Sequence, residues 1–324
     1  MKEMRRLTRR ELLAAGLAGL VGRTVLADAP QPSTRVVLDV PSGACDCHVH
    51  IFGDPRGYPW FSGRVYTPPP ASVDELLALQ RALHMSRVVL VQPSVYGTDN
   101  RCLLDALRQL GPRARGVAVI DDQTSEATLD TLAKAGVRGI RLNLTTAGIS
   151  DPGLARRLFQ GAVERAKSRN WHIQLNTQPR VIEAISDLVA TSSPTVVIDH
   201  FGGPTASEGI SQPGYGALLN LVKTGKAYVK ISGAFDLMSK NTPTFPDVVP
   251  FTRALLAANP QRVVWGSNWP HPDSTPVAGR KNTDIAPPIP TDDGLVLNAL
   301  GVWVPDAAVR RTILVDNPAR LYGF

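Results

Sequence analysis

Three short stretches carry side chains that could do acid–base or oxyanion chemistry together. The first is Cys45-Asp46-Cys47-His48-Val49-His50, an H-x-H pair with a carboxylate just before it. Alternate residues of an extended chain share a face, so Asp46, His48 and His50 are expected on one side. Cys45, Cys47 and Val49 are then expected on the other, packed toward helices. Two converging imidazoles can polarise a carbonyl, move a proton or hold a metal. The second stretch, Asp199-His200-Phe201-Gly202-Gly203, adds an imidazole and two glycines that let backbone approach a ligand. The third, Trp265-Gly266-Ser267-Asn268-Trp269-Pro270-His271-Pro272, reads as a rigid aromatic site edge with Asn268 facing inward and His271 beside it. Arg141 and Asn143 share a face of Gly139–Leu144. A buried guanidinium needs an anionic partner, here a substrate group or an acid such as Asp121 or Asp199. Ser94, Gln174 and Asn176 are further polar candidates.

These residues need strands to aim them. Short β-branched runs occur at 44–51, 87–92, 115–120, 137–144, 172–176, 196–200, 227–231 and 262–265, eight in all. Helical patterns separate them, the first opened by a Ser72/Glu75 capping box and the second stopped at Gly111-Pro112. Strand–helix alternation implies parallel strands, and eight units imply a closed (β/α)8 barrel (TIM barrel), an α/β fold in one domain. No G-x-G-x-x-G loop follows the first strand, which argues against an open dinucleotide-binding sheet. Long Pro-rich loops after the first and eighth strands, at 53–71 and 270–290, would flank the C-terminal mouth where barrels build active sites.

Composition narrows the classes. The chain has 324 residues, 43% hydrophobic and 19% charged, which excludes disorder and coiled coil. The formal net charge is +7, but residues 1–29 hold six cations and three anions, and without them it is +4. The remaining Lys and Arg form no aromatic-interleaved patch, so no nucleic-acid partner is expected. Residues 1–29 carry Arg9-Arg10, an apolar stretch from Leu12 to Val21, and small residues for cleavage after Ala27 or Ala29. This pattern resembles a twin-arginine export signal, with the bacterial periplasm as the expected location and no stable membrane association after export. Residues 30–43 read as a linker and 44–324 as the barrel domain. The three cysteines, Cys45, Cys47 and Cys102, read as buried small hydrophobes rather than a disulfide framework. Association into a homo-oligomer is compatible with this composition.

Taken together, H-x-H, D-H-F-G-G and W-G-S-N-W-P-H-P resemble the amidohydrolase superfamily, as do Val91–Gly97, Gly136–Arg141 and Val229–Ala234. The closer resemblance is to its amidohydrolase-related (amidohydrolase 2) branch, which includes 2-pyrone-4,6-dicarboxylate lactonase, sugar-lactone hydrolases and D-galactarolactone isomerase. The resemblance implies a hydrolase opening a lactone of a sugar acid or pyrone-type carboxylate, with a small-molecule lactone or carboxylate as partner. By motif position it implies that His48, His50 and His200 bind or polarise the lactone carbonyl. Ser94 and Arg141 would hold carboxylate or hydroxyl groups, with Tyr66 as a further binding residue; Asn143 and Asn176, read above from their strands, join them as binding candidates. Asn268 stands where hydrolytic relatives usually carry Asp; a neutral amide orients a water but cannot take its proton. The proton then falls to His271 or one of the other imidazoles, and Asn268 resembles the lactone-isomerase side of the branch. Asp236 stands where the dicarboxylate lactonase carries Arg. The anionic ligands of metal-dependent members are missing, so no metal or other cofactor is expected. The alternatives are a lactone isomerase, a hydrolase or decarboxylase with Zn²⁺ held by His48, His50 and His200, and a non-catalytic binder of acidic sugars.

Overall fold

The structure is a computed structural model that describes residues 29–239 and 241–324. The export signal expected over 1–29 lies outside the described residues, apart from Ala29. Eight strands run in chain order around one parallel sheet: β1 (Cys45–Val49), β2 (Arg87–Val91), β3 (Ala114–Ala118), β4 (Val137–Asn143), β5 (His172–Asn176), β6 (Val196–Ile198), β7 (Ala227–Ser232) and β8 (Val263–Gly266). The seam between β1 and β8 is joined just past β8. There Asn268 N–H donates to His48 O at 2.9 Å and His50 N–H to Trp269 O at 2.9 Å. This is the expected (β/α)8 barrel.

Helices α1 (Val73–Ala82), α2 (Arg101–Leu110), α3 (Glu126–Lys134), α4 (Pro152–Lys167), α5 (Pro179–Thr191), α6 (Tyr215–Lys223) and α7 (Val249–Ala258) follow β1 to β7. α8 (Asp293–Trp303) follows β8. The Ser72/Glu75 capping box forms as read, with both reciprocal hydrogen bonds present. The single helix expected over 305–321 is instead α9 (Ala307–Arg311), a π turn (Thr312–Asp316) and α10 (Asn317–Tyr322). No described helix is long and apolar enough to cross a membrane.

The main core lies between strands and helices, where Val88, Leu90, Ile140, Ile173, Ile198, Val229, Ile231 and Val263 pack under the helical layer. A second cluster fills the barrel interior: Cys45, Cys47, Val89, Val91, Val117, Val197, Tyr228, Val264 and Tyr322. Cys45 and Cys47 therefore face inward, contrary to the strict alternation expected for β1. The cause is a register shift against β2 between Asp46 and Val49, which interrupts the two-residue period. The three described cysteines are free and buried. Tyr322 closes one end of the interior, so a site inside the barrel opens at the other.

Residues 30–43 are more than a linker. Trp269 Nε1 donates to Pro30 O at 2.6 Å, Thr34 N–H donates to Asp292 Oδ2 at 2.9 Å, and Val37 N–H donates to Asn298 Oδ1 at 2.8 Å. The backbone groups of this stretch find fixed partners, which ties it across the loop after β8 and along α8.

Candidate active site

The C-terminal ends of the strands surround a cavity of about 220 Å³. Its wall includes His50, Tyr66, Arg141, Asn143, Asn176, His200 and Asn268, seven of the ten residues expected at the site. Thr145, Thr146, Gln178 and Ser274 add neutral hydrogen-bonding groups, and no described residue of the wall is a carboxylate. Those neutral groups and Met238 went unread because loop residues after a strand carry no periodicity to aim them.

The imidazoles cluster as the spacing suggested. The His48 ring lies 5.0 Å from that of His50 and 4.6 Å from that of His200, centroid to centroid. His50 Nδ1 is 2.8 Å from Val91 O, so Nδ1 carries the proton and Nε2 is left as an acceptor. Burial, aided by the Arg141 charge, pulls His50 down to about 3, so it is neutral at physiological pH. His200 Nδ1 is 2.9 Å from Ser232 Oγ on β7. His48 is fully buried behind them and does not line the cavity. Burial holds its ring well below the ordinary histidine value, and neighbouring Lys230 and His200 push the same way.

Local backbone geometry supports this arrangement. His200, Phe201, Asn268 and His271 all adopt positive φ, at 51°, 57°, 70° and 59°. Non-glycine residues in that region carry strain, and here it concentrates at the two loops that present the site. Gly203 has φ +67°, and a Cβ there would lie 2.3 Å from Thr177 O. Its bare backbone thus serves packing between two cavity loops. Gly266 plays a similar part at the seam, where a Cβ would meet His48 Cβ at 2.7 Å.

Arg141 finds its partner inside the protein. Nε and Nη2 lie 3.3 and 3.2 Å from Asp199 Oδ2, which also accepts from Gln174 Nε2 at 3.0 Å. Of the two acids named from the sequence, Asp199 is the one that pairs. Its other oxygen lies 3.3 Å from His48 Nδ1 and 3.5 Å from Lys230 Nζ. Burial alone would raise this carboxyl, but Lys230, Arg141 and the neighbouring His48 hold it well below the usual carboxylate range. Lys230 was not singled out from the sequence, although its alternation with Tyr228 and Ser232 along β7 carried the signal.

The remaining predicted residues sit behind the wall. Ser94 hydrogen-bonds the Tyr66 hydroxyl, and burial pushes Tyr66 up to about 12. Ser94 thereby holds a cavity residue rather than lining the cavity. His271 is fully buried with Nε2 3.1 Å from Asp293 Oδ2, and it too is not part of the wall. As a proton acceptor for cavity chemistry it is misplaced; it ties the loop after β8 to α8. Asp46 bonds no imidazole. Its Oδ1 accepts from His48 N–H at 3.1 Å and Ser267 N–H at 3.0 Å, bracing the loop that carries Asn268. Burial raises Asp46 to about 7. The Asp236 side chain lies outside the described residues.

A metal has one group to consider among the described residues. His48, Asp199 and His200 bring ligand atoms within 4.8 Å of one another, with Asp199 in place of the expected His50. The donor set does not fit a resident divalent cation. Asp199 already faces two cations, Arg141 and Lys230, so the ion would add two charges to a cluster with a single carboxylate.

Comparison with known proteins shows the family. The amidohydrolase family model matches residues 45–324. The chain is 34% identical over 291 residues to a 4-sulfomuconolactone hydrolase of Rhizobium radiobacter, covering 90% of this chain and 93% of that one. It is 30% identical over 305 residues to a D-galactarolactone isomerase of Agrobacterium fabrum, covering 93% and 96%. The crystal structure of a probable 2-pyrone-4,6-dicarboxylic acid hydrolase from Acinetobacter baumannii, with citric acid bound, superposes with a TM-score of 0.72. That pair shares 28% identity over 87% of this chain and 100% of the other. With its barrel, its imidazole cluster and this family match, the chain belongs to the amidohydrolase family.

Proposed function

We propose that this protein is a lactone-opening hydrolase that works with its own imidazoles, guanidinium and amides and needs no resident metal. The observation that carries the reading is one cavity wall that brings together His50, His200, Arg141 and Asn268, with no carboxylate among the described lining residues. The lactones in the names of its relatives support the substrate class.

Arg141 uses Nε and Nη2 on Asp199, which leaves Nη1 for a substrate oxygen. Arg141 and His200 face the carbonyl oxygen and stabilise the charge that develops there. Asn268 orients a water, and His50 Nε2 takes its proton as the water oxygen bonds to the acyl carbon. The ring C–O bond then breaks, and the ring oxygen leaves with the proton carried by His50. The product is an open-chain hydroxy acid. Asn143, Asn176, Thr145 and Thr146 supply neutral donors and acceptors for the rest of the substrate.

The test is turnover of a panel of sugar-acid lactones and pyrone carboxylates by purified protein, with metal content measured before and after chelator. The reading expects activity on at least one lactone that survives chelation. Activity lost with stoichiometric zinc and restored by it would favour the metal-dependent alternative. Tight binding of an acidic sugar without turnover would favour a non-catalytic binder.

A second reading, lactone isomerisation, is favoured by Asn268 itself. An amide suits a reaction in which a substrate hydroxyl, positioned by the site, attacks the carbonyl instead of water. Product NMR separates the two, since one gives a free acid and the other a rearranged ring. We further propose that residues 1–29 direct twin-arginine export to the bacterial periplasm. Cell fractionation of the wild type against an Arg9→Lys/Arg10→Lys variant tests this.

A further inference from the structure

The chemistry above leaves Lys230 without a task. It lies on the inner face of β7 and is fully buried. Its Nζ donates to Gln174 Oε1 at 2.7 Å and lies 3.5 Å from His48 Nδ1 and 3.5 Å from Asp199 Oδ1. An ammonium has three protons to give and no lone pair. Toward His48 Nδ1 it can act only as a donor.

Asp199 Oδ1 also approaches Nδ1, at 3.3 Å, but takes no hydrogen bond of acceptable geometry, whereas the Lys230 contact has that geometry. A donor facing Nδ1 requires the lone pair there and places the ring proton on Nε2. His48 Nε2 is itself buried with no hydrogen-bond partner, beside the rings of His50 and His200. A buried donor without an acceptor is costly, so a proton on Nε2 must be held there by a group outside the ring.

We propose that Lys230 is a positioning residue that fixes the proton of His48 on Nε2, so that His48, one layer behind the cavity wall, presents a hydrogen-bond donor beside the His50 and His200 rings that line the cavity. In the reading given above, on which this last step rests, those two rings meet the cyclic ester and its attacking water. Without the ammonium, Asp199 is the charged group left at Nδ1. A carboxylate only accepts, so the proton would move to Nδ1 and the donor at Nε2 would vanish. The effect runs through His48 and does not require Lys230 to touch substrate.

The experiment is long-range ¹⁵N–¹H NMR of the histidine side chains in the full chain. His48 is assigned by loss of its signals in His48→Gln. The wild type is expected to show neutral His48 protonated on Nε2, and Lys230→Met to switch it to Nδ1. A wild-type proton on Nδ1, or the same tautomer in both proteins, overturns the proposal. Should Lys230→Met fail to fold, the wild-type spectrum decides alone. On a lactone that the wild type turns over, Lys230→Met is expected to lower kcat roughly 10- to 100-fold with KM nearly unchanged. An unchanged kcat beside a switched tautomer overturns the donor role. The spectrum needs no substrate, so a protein inactive on every lactone would defeat the proposed function while leaving the tautomer assignment to stand or fall by itself.

Discussion

His200 and His172 occupy two ends of the same barrel, and burial does not tell them apart. Their exposures are 6% and 2%. Burial pulls His172 down to about 3, the same value as His50 at the cavity. The difference is in partners and place. His172 begins β5, its ring fills the space where Gly139 has no side chain, and it packs edge-on to Tyr322 at 5.3 Å. Neither of its ring nitrogens reaches a well-formed hydrogen bond. His200 follows the end of β6, meets Ser232 and lines a cavity with Arg141. A depressed pKa therefore marks a buried imidazole, and directed partners at an open strand end are what single out a candidate for chemistry.

This contrast can be broken most severely by exchanging the two sites. His200→Ala should lower kcat/KM on a responsive lactone by roughly 10²- to 10⁴-fold, while His172→Leu should leave it intact. Steady-state kinetics on both variants would show it, and equal losses would erase the distinction. A second contrast lies between buried and exposed ion pairs. Asp199→Ala leaves Arg141 and Lys230 buried around a missing carboxylate and should cost about 3–5 kcal/mol in urea unfolding. Asp187→Ala breaks the exposed pair with Arg156 and should cost about 0–1 kcal/mol.

Asn268→Asp sharpens the chemical side. A carboxylate at that position can accept the proton that the amide cannot, so hydrolysis should accelerate relative to any isomerisation. Product ratios before and after the change measure this; an unaltered ratio would mean that Asn268 does not touch the attacking oxygen.

Burial of the imidazoles also makes stability depend on pH. His50 and His172 drop from an ordinary 6.5 to about 3 in the folded protein. Between those values the unfolded chain binds protons that the folded chain does not. These two histidines therefore lower stability as pH drops from about 6.5 toward 3, by about 1.4 kcal/mol per pH unit each, while Asp46, raised from 3.8 to about 7, works in the opposite direction by a similar amount. Unfolding midpoints at pH 7 and pH 5 should show the decline, and His172→Leu should make it shallower.

The barrel could be read from sequence because each strand is a β-branched run bounded by turn residues and each helix carries its own caps. Residues 172–176 match the observed β5 at both ends. The site was legible wherever a residue sat at a strand end, as with His50, Arg141, Asn143, Asn176 and His200. It was illegible where long-range contact decides. Nothing local tells that Asp46 braces Ser267, that His271 turns to Asp293, or that Lys230 on β7 reaches His48 on β1. The β1 irregularity that turns Cys45 and Cys47 inward also comes from pairing with β2 and lies beyond any two-residue pattern.

The most direct measurement of the central claim is a crystal structure of the enzyme with a slowly reacting lactone or its ring-opened acid. The acyl oxygen is expected within hydrogen-bond reach of Arg141 and His200, with Asn268 and His50 on the side of attack. A ligand bound away from these imidazoles, or a metal ion between the acyl oxygen and His48, Asp199 and His200, would contradict it.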